Sequence, residues 1–314
     1  MTLDSKLVTL LDIDPHEVII HKYGSSGFAT TWRITTKLPS GEEAQVMFQG
    51  EHESLKVLRQ CLPTLCPKSY GYGKLDDSST RYFILTDFFD KSAQSSKEKD
   101  VYLVQKLAKL HTAPAPIPDG YTKRPFGFPC TTCCVETPQN NTCSSSWADF
   151  YANSRPRFIM KQSEKKNGPD TELSSMVETL CSNVVHGLLG DSHLNSGNAI
   201  TPVLIHGNLW GGNTTWGKLP GMEVMEQIVF DSSACYAHSE FELGIMKMFG
   251  GFGREFMDEY HALVSKTEPV DEFDDRLALY ELYHHLNHHA MFGGGYRSGA
   301  VSIMRMLIGK YSDS

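Results

Sequence analysis

The stretch best equipped for chemistry is Val203-Leu-Ile-His-Gly-Asn-Leu-Trp-Gly-Gly-Asn213, followed eighteen residues later by Asp231 in Ile228-Val-Phe-Asp. Three apolar residues running into a His-Gly pair predict a short buried strand that delivers polar groups to a cleft. The spacing from His206 to Asn213 and on to Asp231 is that of the catalytic and metal loops of phosphotransferases. In that scheme the position two after the histidine carries an aspartate, which orients and deprotonates the attacking hydroxyl. This chain has Asn208 there. An amide cannot take a proton near pH 7, although it can still hydrogen-bond a hydroxyl.

The elements that must position this stretch follow from pattern. Residues 5–14 predict a short amphipathic helix, 18–23 a strand, and 28–36 a second strand, with Gly24-Ser-Ser-Gly27 between them. Strand, glycine turn and strand is how phosphotransferases cover nucleotide phosphates, but two glycines fit a plain hairpin equally well. Helical spacing resumes over 42–60 and includes Glu51. Tyr82–Thr86 predicts a buried strand leading into Asp87-Phe-Phe-Asp90. Further helices are predicted over 101–111, 147–162, 170–189, 237–249 and 271–290, with an irregular, Pro- and Cys-rich connection over 120–146.

Composition bounds the function. The chain has 314 residues, a hydrophobic fraction of 40%, a charged fraction of 21% and a net charge of −8. These values predict an ordered globular protein and argue against nucleic acid as a partner. No apolar run reaches the length of a membrane span and no leader peptide is recognised, so the expectation is a cytoplasmic protein without a membrane partner. The eight cysteines are expected as free thiols. Cys130, Cys133, Cys134 and Cys143 invite a zinc reading, but no second Cys-x-x-Cys or paired histidine accompanies them. His284, His285, His288 and His289 form two i, i+4 pairs. Four histidines on one helix spread over a wide arc, so a partly buried, hydrogen-bonded cluster is expected ahead of a zinc site.

Taken together, the chain resembles the fructosamine-3-kinase (ketosamine-3-kinase) family. The resemblance rests on Met47-Phe-Gln-Gly-Glu51, Pro125-Phe-Gly-Phe128, Thr132-Cys-Cys134, His206-Gly-Asn-Leu-Trp-Gly-Gly-Asn213, Phe230-Asp231, His238-Ser-Glu-Phe-Glu-Leu243, Met248-Phe-Gly-Gly-Phe252, Leu286-Asn-His288 and Tyr296-Arg297. It implies an α+β, bilobal protein-kinase-like fold of the aminoglycoside phosphotransferase type. A small, shortened β-rich N-lobe would span 1–90 and a larger helical C-lobe 91–314. It also implies ATP and Mg2+ as cofactors and, as the ligand, a small molecule or a ketoamine that is free or attached to a protein amine; oligomeric state is left open. Carried over, Asn213 and Asp231 would hold the metal, and Gly24 and Gly27 would lie over the phosphates. Glu51 would pair with a strand lysine, Thr86 and Phe88 would line the adenine hinge, and His206 and Trp210 would shape the loop around Asn208. His238 would support the floor of the site.

Three departures bear on activity. Asn208 replaces the family's aspartate. The sole candidate for the strand lysine, Lys37, lies ten residues after Gly27 and fourteen before Glu51, so the strand that should carry it is expected to be missing or shortened, although an ungapped count keeps Lys37 open. Met291 and Gly294 stand where the family has a histidine and an arginine. Three readings follow: a working ketosamine kinase, a nucleotide-binding pseudokinase, or a repurposed pocket that binds or transforms another small molecule. The paired loss of base and lysine favours the last two.

Overall fold

The structure is a computed structural model describing residues 4–11, 22–25, 30–32, 42–76, 81–89 and 102–311. The chain divides into two compact units, one made of Met1–Leu103 with Thr214–Ser232, the other of Val104–Asn213 with Ser233–Ser314.

In the first unit, helix Glu42–Cys61 packs on the antiparallel strands Ser69–Lys74 and Tyr82–Thr86. Leu55 and Leu58 turn its apolar face inward, as the helical spacing predicts. Helix Ser5–Leu11 adds Leu7 to a small core with Leu75, Phe83 and Leu85. Strand Tyr82–Thr86 falls where the sequence places it. Its partner, Ser69–Lys74, is not foreseen, because Gly71 and Gly73 interrupt any apolar alternation. Strands Lys22–Ser25 and Thr30–Trp32 form a separate antiparallel pair, with an irregular register between Lys22 and Gly24. Strands Thr214–Gly217 and Glu226–Val229 complete the unit, and Val229 N–H donates to the Leu65 carbonyl. Gly27 and Lys37 lie outside the described residues, so the expected loss of the lysine strand falls there too.

The second unit is mainly helical. Helix Phe273–Phe292 runs through its centre, contacting Glu240–Phe249, Pro156–Asn167 and Tyr296–Tyr311. Gly244 lets two of these helices approach closely, since a Cβ there would sit 2.7 Å from the Tyr280 backbone. Trp147, Tyr151, Phe241 and Tyr280 pack at tilted and edge-on angles in the core, with ring centroids 5.4 to 6.1 Å apart. Fully buried Arg276 donates to Glu240 (Nε–Oε2 2.8 Å) and to the Pro269 carbonyl, so the buried charges are paired and saturated.

Two element boundaries differ from expectation. The helix predicted over 147–162 is two helices, Trp147–Ser154 and Pro156–Asn167. Pro156 lacks an N–H and pushes the preceding residue out of the helical region, and Arg155 accordingly adopts φ −120° and ψ −88°. The helix predicted from 237 begins at Glu240, because Cys235–Ala237 is claimed by a strand paired with Val203–Ile205. No helix among the described residues is long and apolar enough to cross a membrane.

Candidate active-site loop and its supports

The second unit holds the loop that carries Asn208. Strand Val203–Ile205 is buried throughout and pairs with Cys235–Ala237, so Ile205 lies opposite Cys235 and the chain turns at His206 in the interior. Gly207 has φ 79°, and a Cβ there would be driven into the Ser233 carbonyl. Only glycine fits this turn. Glu242, almost fully buried on the neighbouring helix, accepts the backbone N–H of His206 at one oxygen and that of Gly207 at the other (3.0 Å). A carboxylate holding two backbone donors fixes the loop's entry with charge-assisted bonds. His206 Nδ1 accepts the Asn208 N–H at 3.3 Å, which puts the proton of a neutral ring on Nε2.

The loop's exit is fixed by a second device. Gly211 N–H donates to the Gly250 carbonyl, and a Cβ on Gly211 would meet the Gly251 Cα at 2.7 Å. The Gly250-Gly251 pair, which terminates helix Glu240–Phe249 with φ 70° and 96°, thus lies directly on Gly211. Asn213 Nδ2 donates to the Asn208 carbonyl at 2.8 Å, closing the loop on itself. Asn208 is 2% exposed, with Cys134 Sγ 4.0 Å from its Oδ1. Asn287 Nδ2 donates in turn to the Cys134 carbonyl at 3.3 Å. Trp210 is 37% exposed and packs on Phe249. His206, Asn208, Trp210 and Asn213 are therefore gathered on one loop. The supports Glu242, Gly250, Gly251 and Cys134 lie in motifs that carry the resemblance, but nothing in the sequence indicates that they hold this loop.

The first unit holds the other predicted residues. Asp231 takes φ 59°, a left-handed conformation that aspartate tolerates better than most side chains, and follows Phe230, which stacks on Phe89. Glu51 lies inside helix Glu42–Cys61. Burial, and then the neighbouring Asp231 carboxylate, push its carboxyl up to about 8. Among the described residues no cation offsets this effect. Thr86 ends strand Tyr82–Thr86, with Phe88 two residues on. Asp87 between them accepts Tyr70 Oη (2.7 Å) and the Lys68 N–H (3.0 Å), holding the backbone that follows the strand. Gly24 lies in strand Lys22–Ser25.

Asn213 offers an amide oxygen and Asp231 a carboxylate, and each is by itself a donor of the hard kind that magnesium takes. Among the described residues no group of three His, Cys, Asp or Glu could cage a metal. His284 is buried and stacks on Phe241, and His288 Nδ1 meets the His284 carbonyl at 2.8 Å.

His238 lies between Tyr280 Oη and Thr267 Oγ1, 2.8 Å from each, and burial lowers its pKa to about 4. Burial depresses His284 as well. Above about pH 6.5 neither the folded nor the unfolded chain protonates His238. Between 6.5 and 4 the unfolded chain binds a proton that the folded one refuses, so stability falls as pH drops. His238 alone is expected to cost about 3 kcal/mol across that window. The difference in urea midpoint between the protein and His238→Gln, followed from pH 7.5 to 4, isolates this contribution from that of Glu51, whose raised carboxyl works in the opposite direction; a difference that does not change with pH would contradict a neutral buried His238.

With the geometry in view, the comparisons with known proteins are specific. Residues 33–310 match the family model described as Fructosamine kinase. The mouse ketosamine-3-kinase is 32% identical over 294 residues, covering 88% of each chain. The solved structure of a candidate fructosamine-3-kinase from Haemophilus somnus 129PT superposes with a TM-score of 0.72 at 18% identity, over 98% of this chain and 97% of the other. A ternary complex of APH(2″)-IIa with streptomycin and ATP superposes with a TM-score of 0.57 at 14% identity, over 98% and 97%, which speaks to a kinase-like fold alone.

Proposed function

The chain belongs to the fructosamine kinase family, and from that premise we propose that it is a ligand-binding or repurposed member, holding a small ketoamine-like molecule on a phosphotransferase frame whose proton chemistry is disabled. The observation that carries this reading is Asn208, an amide at the base position of a loop whose entry and exit are both clamped. General-base catalysis contributes about 10²–10⁴-fold, and Asn208 cannot supply it. It can still hydrogen-bond a ligand hydroxyl.

A second reading, slow ATP-dependent ketosamine kinase activity, is favoured by the retention of Asn213 and Asp231. Magnesium and ATP belong to it. The bound nucleotide would supply the phosphoryl group, and Asn213 and Asp231 would hold the cation through oxygen donors of suitable hardness. The chain's own part would be to orient the hydroxyl through Asn208, with the hydroxyl proton leaving to solvent or phosphate oxygen. A cytoplasmic location goes with either reading.

Thermal-shift titration with a fructosylamine and with Mg-ATP, alongside a phosphate-transfer assay, separates the readings. Saturation at a hundred times Kd stabilises a protein by about 2.7 kcal/mol, a readable shift. We expect the fructosylamine to stabilise the protein, transfer to be slow or undetectable, and Asn208→Asp to raise transfer less than about ten-fold. A rise of about 10²–10⁴-fold would mean that the base was the one missing part, and the kinase reading would replace ours.

A further inference from the structure

One residue of the second unit holds a backbone conformation that its own side chain opposes. Strands Cys133–Cys134 and Thr137–Pro138 pair antiparallel with Cys134 opposite Thr137, so Val135 and Glu136 make the whole turn. Val135 has φ 60°, while Glu136 stays outside the positive-φ region. A positive angle at the first central position alone is the pattern of a type II′ turn, where glycine is the usual residue. Asn195, Ser196 and Asp231 are the other non-glycine residues with positive φ among the described residues, and none of them is β-branched. The branched Cβ makes Val135 the outlier.

The base of this hairpin keeps the strained turn closed. Gln139 N–H donates to the Thr132 carbonyl (2.8 Å), Thr132 Oγ1 donates to Gln139 Oε1 (2.9 Å), and Gln139 Nε2 donates to Tyr283 Oη (2.8 Å). Asn141 Nδ2 adds a bond to Thr132 Oγ1 (2.8 Å). Thr132, Gln139 and Asn141 are all buried. With both ends bolted to the core, the chain must reverse in two residues, and Val135 cannot relax without breaking these bonds. Beside the turn is Cys134, buried, with its Sγ 4.0 Å from Asn208 Oδ1 and its carbonyl held by Asn287 Nδ2 (3.3 Å). Glycine at 135 would close the turn with less strain, but over several conformations of similar energy. Valine is confined to one.

We propose that Val135 is a positioning residue: its confined turn seats Cys134 against Asn208 and so fixes the orientation of the amide that meets the ligand. The proposal rests on the reading above that Asn208 hydrogen-bonds the ligand. It accounts for the retention of a residue that makes the turn less stable than glycine would.

Two substitutions and three measurements test it. Val135→Gly is expected to raise Tm by about 1–3 °C, because it relieves the strain. NMR should show solvent exchange of the Asn208 side-chain amide quickened about ten-fold in this variant, since the hairpin tip opens more readily. Isothermal titration should show fructosylamine binding weakened about five-fold, because less of the protein is in the competent arrangement. Val135→Asn keeps a side chain that mirror-image turns accept, so it should raise Tm while leaving exchange and affinity as they are in the natural protein. A Tm that fails to rise in Val135→Gly overturns the proposal, as does a raised Tm with unchanged exchange at Asn208. Exchange quickened equally in both variants also overturns it, since confinement of the turn would then have no part. If exchange behaves as expected but no fructosylamine binds, the positioning role stands and the ketoamine reading falls.

Discussion

Gly207→Ala is expected to destabilise the protein by about 3–5 kcal/mol, which lowers Tm by on the order of 10 °C. Two penalties combine. The residue has φ 79°, where an L side chain costs about 1–2 kcal/mol, and the added methyl is driven into the Ser233 carbonyl, a backbone atom that cannot rotate away. Moving Ser233 breaks its N–H bond to the His206 carbonyl (2.9 Å), so the loop and the strand pair behind it yield together. Differential scanning calorimetry measures the shift. Gly221→Ala is the control, since it has a similar φ of 83° but open space around it; it should lose only the conformational part. Equal losses at the two positions would mean that the close approach at Ser233 has no energetic weight.

Glu242→Leu carries the second large effect. It keeps an apolar helix face but leaves the N–H groups of His206 and Gly207 without their acceptor in the interior. Each stranded donor costs about 1–3 kcal/mol, so a loss of about 2–6 kcal/mol is expected. Glu242→Gln retains one acceptor oxygen and should fall between Leu and the natural residue. Hydrogen exchange gives a readout that overall stability does not: the amides of residues 206 and 207 should lose protection in Glu242→Leu before the surrounding core does. Unchanged protection at those two amides would assign their burial to something other than Glu242.

The sequence disclosed those parts of the fold that rest on local periodicity. Helix Glu42–Cys61 and strand Tyr82–Thr86 were legible because an apolar stripe and an uninterrupted apolar run each leave one interpretation. Strand Ser69–Lys74 was not, since its glycines erase alternation and its stability comes from pairing with a strand thirteen residues further on. Within the site, the members of the loop could be named from spacing, but what holds the loop could not. Glu242 sits among apolar residues in Glu240-Phe-Glu-Leu-Gly-Ile, and a carboxylate on such a face demands a buried partner. That was the available signal, although two of the partners it holds are backbone N–H groups, which have no sequence signature. The contact between Gly211 and Gly251 is likewise invisible, because glycine announces permissiveness without saying which backbone comes close.

The clamped loop has a consequence for how its chemistry can be altered. Its course is set by two glycine junctions and by a carboxylate whose two oxygens each hold a main-chain N–H, devices that do not run through the side chain at 208. Aspartate and asparagine are nearly the same size, and exchanging one for the other leaves every clamp in place. The main-chain clamps are therefore separable from the group that would handle the proton: a single amide–acid exchange leaves them intact, and its cost is confined to burying one carboxylate at a position 2% exposed. Such a frame is well suited to being inherited intact while the reaction it hosts is replaced.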